Sequence, residues 1–171
     1  MHQRIIMVVA ADLKRTGHGV EAGPETELVC KEAAAIAHDY PEAIVFATAG
    51  MSKEYGVIMG EGPMRTALLG RFVEEYRIRT PVAKTFSTDG EMQALVKAIP
   101  WNRIMVLDLH LVCRSWHLPR AWLLLRANLS REQRSRVVVI PVPVKNSEDH
   151  RGMWLEGLAY LKNLPKLLKA F

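Results

Sequence analysis

Five short apolar segments, separated by stretches with helical spacing, constrain the fold of this chain more than any other feature. Each segment is apolar throughout instead of alternating with polar residues, a pattern typical of strands that are covered on both faces. The regular succession of strand and helix predicts an α/β fold with a parallel sheet and helices on both faces. The predicted strands are Arg4–Ala10, Ala43–Thr48, Pro81–Lys84, Arg103–Asp108 and Arg136–Pro141.

The helix boundaries are predicted from prolines and from the spacing of apolar residues. Proline suits the first position of a helix, where no N–H is needed, and three prolines precede apolar-periodic segments. Apolar spacing further predicts a helix from Thr88 that Pro100 closes, and a last helix from about His150 to Leu168. The three starts marked by proline follow Pro24, Pro63 and Pro119.

Length and composition favour a single domain spanning residues 1–171. The chain is 49% hydrophobic and has no repeat and no linker rich in Gly, Ser and Pro. The two cysteines, Cys30 and Cys113, lie far apart without a CxxC spacing, so neither a disulfide framework nor a zinc knuckle is predicted. The apolar run near the N-terminus is too short for a signal peptide or a membrane span. We therefore expect a soluble cytoplasmic protein.

The charge of the chain favours an anionic partner. The formal net charge is +5 and the pI is about 9.4. Scattered basic residues and an aromatic content of only 7% argue against nucleic acid, so a small anionic molecule is the expected ligand. A homodimer is a further expectation, because Trp101, Trp116 and Trp122 are not all readily placed in a core.

Three long loops are predicted to follow strands, and so to lie at the carboxyl edge of the sheet. Open α/β sheets bind ligands at this edge, which makes polar residues there candidate ligand contacts. Asp12, Gly50 and Glu61 are such residues, although Asp12 is also explained by a turn and Glu61 by a helix dipole. The predicted loops are Ala11–Gly23, Ala49–Gly62 and Leu109–Trp116.

Thr88 and Glu91 have the spacing of a capping box at the start of the third predicted helix. In a capping box each side chain satisfies one unpaired N–H of the first turn, and this structural role alone explains both residues. A helix start also presents N–H groups and positive dipole to an anion. The same turn is therefore a candidate binding site for a phosphate or a carboxylate.

The densest polar cluster of the chain follows the fourth predicted strand and contains His110, Arg114, His117 and Arg120. Arg120 could bind a phosphate or carboxylate through paired hydrogen bonds, and His117 could donate a proton near neutral pH. A surface loop with incidental charges is the alternative interpretation. Asp108 and His110 have no third ligand nearby in the sequence, so no metal site is predicted.

Several motifs in order along the chain resemble a known bacterial family. They are Thr48-Ala49-Gly50, Glu61-Gly62-Pro63, Ser87-Thr88-Asp89-Gly90-Glu91, and a strand over 104–107 followed by His117-Leu118-Pro119-Arg120-Ala121. The pattern resembles the YdcF-like family, the bacterial domain-of-unknown-function family that includes SanA, ElyC and YdcF. Two departures concern the segment after the first strand, which reads Ala10-Ala11-Asp12 where glycines are usual, and the extra residues before His117.

The resemblance implies a three-layer Rossmann-like sandwich of about five mainly parallel strands in the order 3-2-1-4-5. It also implies a ligand crevice, and S-adenosylmethionine is a possible ligand because one member of the family is associated with binding it. No general reaction is established for the family. The residues that match its pattern are Gly50, Glu61, Thr88, Glu91, His117 and Arg120.

Three hypotheses for function follow. The first is a domain that binds a small anionic or nucleotide-like ligand through Thr88 and Arg120, with Asp12, Gly50, Glu61, Glu91 and His110 nearby. The second is a hydrolase or transferase acting on a phosphorylated envelope or nucleotide precursor, with His117 and Glu61 as catalytic groups for proton transfer. The third is a non-catalytic scaffold with a degenerate pocket.

Overall fold

The computed structural model of the protein describes residues 1–9, 13–16, 19–48, 51–52, 59–60, 62–83, 87–145, 164–165 and 168. The strands in these ranges are β1 (His2–Val9), β2 (Leu13–Thr16), β3 (Gly19–Ala22), β4 (Ile44–Ala47), β5 (Met51–Ser52), β6 (Met59–Gly60), β7 (Ile78–Arg79), β8 (Val106–Arg114) and β9 (Val137–Val144). The helices are α1 (Pro24–Asp39), α2 (Gly62–Leu69), α3 (Thr88–Ala98), α4 (Leu118–Asn128) and α5 (Arg131–Arg136).

The main sheet has five strands, all parallel, in the order β7-β4-β1-β8-β9. Helices cover both of its faces, which confirms the predicted α/β class and is consistent with a three-layer Rossmann-like sandwich. The edge strand β7 is Ile78–Arg79 and lies before the predicted strand Pro81–Lys84, whose last residue is outside the described residues. Pro81 has no N–H to donate, and the ladder with β4 ends before it.

The central strand β1 accounts for much of the core. Residues 5–9 of this strand are each at most 2% exposed. Ile5, Met7 and Val9 point toward α3 and α4, while Ile6 and Val8 point toward α1 and α2. Burial on both faces explains why the segment is apolar throughout and not alternating.

The fourth sheet strand is longer than predicted. β8 runs from Val106 to Arg114, pairs with β1 along the whole of that strand, and pairs with β9 on its other side. The predicted loop Leu109–Trp116 is therefore wrong. His110 and Arg114 made this segment look like a loop, but both side chains are covered on the α1 face of the sheet.

β9 forms the opposite edge of the sheet and contains two prolines. It extends to Val144, beyond the predicted end at Pro141. Pro141 and Pro143 both lie within the ladder with β8, opposite Leu111 and Cys113. Proline is tolerated in a sheet at such an edge because one side of the strand has no partner to bond.

The three proline-marked helix starts are confirmed at α1, α2 and α4, and α3 begins at Thr88 as expected. Only residues 164–165 and 168 of the predicted last helix are described, so that prediction lies largely outside the described residues. Two antiparallel hairpins, β2 with β3 and β5 with β6, occupy segments predicted as loops after β1 and β4. None of the helices in the described ranges is both long and apolar enough to cross a membrane.

The tryptophans that suggested a homodimer interface have places within the fold. Trp101 packs against the core below α3 and α4, and its indole N–H donates to the carbonyl of Val96 at 2.7 Å. Trp122 packs against the same core, and Trp116 lies beside His117. These side chains therefore no longer argue for a dimer, whose existence stays a prediction.

The residue that caps α3 is Ser87 and not Thr88. The Ser87 hydroxyl accepts from the backbone N–H of Gly90 at 3.2 Å, which places the cap one residue earlier than the predicted capping box. Glu91 therefore has no role in a reciprocal cap, and its side chain is buried below the helix start. The Thr88–Glu91 capping box is a wrong prediction, because an adjacent serine satisfies the first turn.

We expect Ser87→Ala to lower the free energy of unfolding by about 1 kcal/mol, because the first turn of α3 loses its side-chain acceptor. Thr88→Ala serves as the matched control and should change stability by no more than about 0.5 kcal/mol. Urea denaturation of both variants measures the difference. Equal effects, or a larger loss in the threonine variant, would contradict the assignment of Ser87 as the cap.

Candidate functional site

The carboxyl edge of the sheet at β1 and β8 is the structural setting of the candidate site. The chain leaves β1 through α1 to reach β4 on one side, whereas β8 lies on the other side of β1. Such a reversal of strand order opens a crevice beyond the carboxyl ends of the two strands. Of the predicted site residues, Asp12, Gly50 and Glu61 lie outside the described residues.

Thr88, His117 and Arg120 come together at the starts of α3 and α4. Oγ1 of Thr88 lies 3.4 Å from Nε2 of His117, and Nδ1 of the same histidine lies 3.0 Å from Nη2 of Arg120. His117 is only three residues beyond the end of β8, so the extra residues noted in the sequence belong to the strand. The structure thus unites three of the predicted residues from two helix starts.

The contact with Arg120 determines which nitrogen of His117 carries a proton. A guanidinium can only donate, so Nδ1 of His117 accepts from Arg120 and carries no proton in this arrangement. The proton of the neutral ring is then on Nε2, which faces the Thr88 hydroxyl. Thr88 can accept this long contact and still direct its own hydroxyl proton to a further acceptor.

Neighbouring side chains fix the positions of these helix starts. The ring of Trp116 packs edge-on against His117, with the ring centroids 5.5 Å apart. Asn128, near the end of α4, donates to Oδ1 of Asp89 at 2.8 Å, and Gln93 donates to Oδ2 at 2.9 Å. The hydrogen bond between Asn128 and Asp89 thereby joins α4 to α3, in addition to the core between them.

Glu91, predicted as a ligand contact, is instead part of a buried ion pair. Its Oε1 lies 2.8 Å from Nη1 of Arg65, and the two side chains are only 6% and 1% exposed. Thr48, at the end of β4, donates from Oγ1 to the Val8 carbonyl at 3.0 Å and lies 3.3 Å from the same Glu91 oxygen. Arg65 also donates to the backbone carbonyl of Thr48.

This buried cluster connects β1, β4, α2 and α3 directly beneath the carboxyl edge. Arg65 was missed in the sequence because one arginine in a short helix resembles an ordinary surface residue. The available signal was its position three and four residues before Leu68 and Leu69, which puts it on the buried face of α2. A buried arginine requires an acidic partner, and Glu91 supplies it.

His110 lies elsewhere, within β8 on the α1 face, and not in the predicted loop. The residue is 6% exposed, and its ring lies 5.5 Å from that of Tyr40 at the end of α1. Burial, with a smaller contribution from the positive charge of Arg4, holds the pKa of His110 below its ordinary value despite the opposing effect of Asp108. The structure does not bring it together with His117.

Asp108 is also occupied by structural contacts. It lies 2.9 Å from Nε2 of His2 and 3.4 Å from Nη2 of Arg4. Across the described part of the chain, no group of three or more His, Cys, Asp or Glu side chains is arranged to hold a metal ion.

Comparisons with protein-family models, curated proteins and solved structures give no match to this chain.

We expect Glu91→Gln to lower the free energy of unfolding by roughly 3–5 kcal/mol, because it removes the carboxylate charge from the buried ion pair with Arg65. The matched control is Glu132→Gln, which breaks the exposed pair with Arg136 and should cost no more than about 0.5 kcal/mol. The double variant Arg65→Met, Glu91→Met should be more stable than Glu91→Gln. Denaturant unfolding that ranks the three variants differently would contradict the structural role of the pair.

We expect His110→Phe to make stability less dependent on pH in the acidic range. The unfolded chain binds a proton at the ordinary histidine pKa of about 6.5, whereas the folded protein resists this until a lower pH. Stability contributed by neutral His110 is thus present above about 6.5 and is lost as the pH falls toward the lowered pKa. Unfolding free energies measured between pH 7 and 5 should fall less steeply in the variant.

The control for this experiment is His38→Phe, which replaces a histidine whose side chain is 92% exposed. The reduction in slope should be larger in His110→Phe than in His38→Phe. If His110→Phe retained the full slope, burial of a neutral His110 would not be a source of the acid sensitivity.

Proposed function

We propose that this protein binds a small anionic or nucleotide-like ligand at the carboxyl edge of its sheet, between the starts of α3 and α4. The observation that carries the proposal is the hydrogen-bonded series from Arg120 through His117 to Thr88. In this series Arg120 donates to His117, and His117 donates to Thr88. The hydroxyl proton of Thr88 is then available to donate toward the crevice. A negative oxygen is the group that such a donor binds most strongly.

The surroundings of this series support an anion over a neutral ligand. Both helix starts direct backbone N–H groups and positive dipole toward the same edge. The net charge of +5 further favours an anionic partner. Since Glu91 is neutralised by Arg65, it adds little negative charge that would oppose binding.

The buried cluster below the site supports binding by keeping the edge in place. Thr48 and Arg65 connect the ends of β1 and β4 to α3 through hydrogen bonds and the ion pair with Glu91. A rigid site loses less conformational entropy when a ligand binds. We accordingly assign Glu91 a supporting role in place of a direct contact with ribose hydroxyls.

We also propose membership of the YdcF-like family on the motifs around Thr88 and His117. The short distance between the end of β8 and His117 agrees with the order of those motifs. S-adenosylmethionine is then one ligand to test, because its amino-acid end provides a carboxylate and its nucleoside provides hydroxyls. Nucleotides and sugar phosphates offer the same kind of negative group.

We expect Arg120→Ala to weaken ligand binding at least about tenfold, because it removes a charged donor and releases His117 from its fixed orientation. The measurement is a thermal-shift screen of S-adenosylmethionine, nucleotides and sugar phosphates, followed by calorimetric titration of any compound that stabilises the protein. Arg103→Ala is the matched control, since it removes the same charge from an exposed position before β8. It should retain binding.

A ligand that stabilises the unmodified protein and Arg120→Ala equally would remove Arg120 from the site. Stabilisation lost equally in both arginine variants would show that the ligand responds to net charge and not to this edge. Circular dichroism of each variant without ligand checks that the fold is retained.

A second candidate function is a hydrolase or transferase acting on a phosphorylated precursor. The observation that favours it is the 3.0 Å contact between Nδ1 of His117 and Arg120, from which we infer that the ring proton is on Nε2, at a helix start where an anionic leaving group would be bound. Turnover of phosphoester and glycosyl substrates, with and without divalent metal, tests this candidate. Turnover that His117→Gln abolishes without loss of ligand affinity would establish a proton-transfer role, and uniformly absent turnover favours binding alone.

A further inference from the structure

The end of β8 carries a group of buried hydrogen-bond donors for which the described residues provide no acceptor. Arg114 has a side chain only 4% exposed, and its Nη2 lies 2.8 Å from Oε1 of Glu25 in the first turn of α1. Its Nε and Nη1 are buried and have no hydrogen-bond partner in the part of the chain that the structure describes. The same is true of the indole Nε1 of Trp116.

These atoms are donors without exception, which indicates the chemistry of the missing partner. Nε and Nη1 of an arginine carry three N–H groups, and the indole of Trp116 adds one more. A buried N–H without an acceptor is costly, and such groups in a native protein commonly mark a site for a bound molecule. Because a guanidinium is always charged, the acceptor that best completes this group is an oxyanion.

The start of α1 adds a second source of positive potential at the same place. Gly23 occupies the cap position of this 16-residue helix, so the cap residue itself has no side chain that could accept from the first turn. Glu25 holds Arg114 against that turn through Nη2, leaving the other two guanidinium nitrogens for a further acceptor. The helix dipole and the Arg114 charge therefore both act near the start of α1, where the carboxylates of Glu25 and Glu27 offset part of their positive potential.

We propose that Arg114, the indole N–H of Trp116 and the start of α1 form a second anion site, which takes the phosphate group of a small molecule. It lies on the α1 face of the end of β8, whereas Thr88 and His117 belong to the helices on the opposite face. Trp116 stands between the two, with its ring 6.0 Å from the Arg114 guanidinium and 5.5 Å from the ring of His117. This site does not depend on binding at Arg120.

The test is a titration of the full chain with inorganic phosphate at constant ionic strength, followed by two-dimensional proton–nitrogen NMR. The indole signal of Trp116 is identified by its absence in Trp116→Phe. We expect it to shift saturably with phosphate, as its N–H gains an acceptor. The indole signal of Trp101, which already donates to Val96, is the internal control and should not move.

Variants separate this site from the first one. Arg114→Lys should abolish the saturable shift, and Arg120→Ala should retain it, so failure of the proposed ligand site near Arg120 would leave this result intact. Trp116→Phe keeps an aromatic ring and removes only the N–H. Trp116→Phe should weaken phosphate affinity about tenfold, measured from the thermal shift. This variant tests the site even if Arg114→Lys does not fold.

Three results would overturn the proposal. A shift that grows linearly without saturation, or that chloride reproduces at equal ionic strength, would show a general salt effect. Unchanged phosphate affinity in Trp116→Phe would remove the indole donor from the site. A saturable response to acetate with none to phosphate would replace the phosphate assignment with a carboxylate.

Discussion

The parallel pairing of β1 with β8 is the constraint on which the rest of this structure depends. It extends from His2 opposite Val106 to Val9 opposite Cys113, and it brings the ends of both strands to one level. Every element that contributes to the candidate sites is attached to one of these strands or packs against it. β1 is buried on both faces. A shift of its pairing by one residue would turn the side chains that face α3 and α4 toward α1 and α2, and would turn the other set the opposite way.

Polar residues in β8 show how a buried strand can carry charge. Asp108, His110 and Arg114 share the α1 face. Their respective contacts are Arg4, the ring of Tyr40, and Glu25. Near the amino end, the charge of Asp108 is balanced by Arg4, and in the middle burial lowers the pKa of His110. At the carboxyl end Arg114 has only Glu25 as a charged partner within the described ranges. Of these three residues Arg114 lies nearest the edge where ligands bind in folds of this class, and its Nε and Nη1 have no acceptor within the described ranges.

Much of the fold follows from sequence patterns because apolar periodicity and proline positions act locally. The apolar run of β1 and the prolines before α1, α2 and α4 were sufficient to predict those elements. The extent of β8 was not predictable in this way, because His110 and Arg114 are made compatible with a strand only by α1, which is distant in sequence. Local polarity there indicated a loop, and tertiary contacts decided otherwise.

The candidate site was predictable to a similar degree and for the same reason. Thr88, His117 and Arg120 lie at helix starts that the sequence marks, so their approach to one another follows from the sheet order. Glu91 was misjudged because its partner Arg65 belongs to another helix, and the choice between Ser87 and Thr88 as cap depends on backbone geometry at a single residue. Pairings between distant side chains are not encoded in local spacing.

The prolines of β9 restrict how another strand could pair with this edge of the sheet. The ladder with β8 continues through Pro141 and Pro143, so these residues occupy positions whose backbone faces away from β8. At those positions the outer edge of the sheet offers carbonyls but no N–H, and an added strand would find half of its bonds missing. Fibril-like growth of the sheet is thereby opposed along this part of the edge.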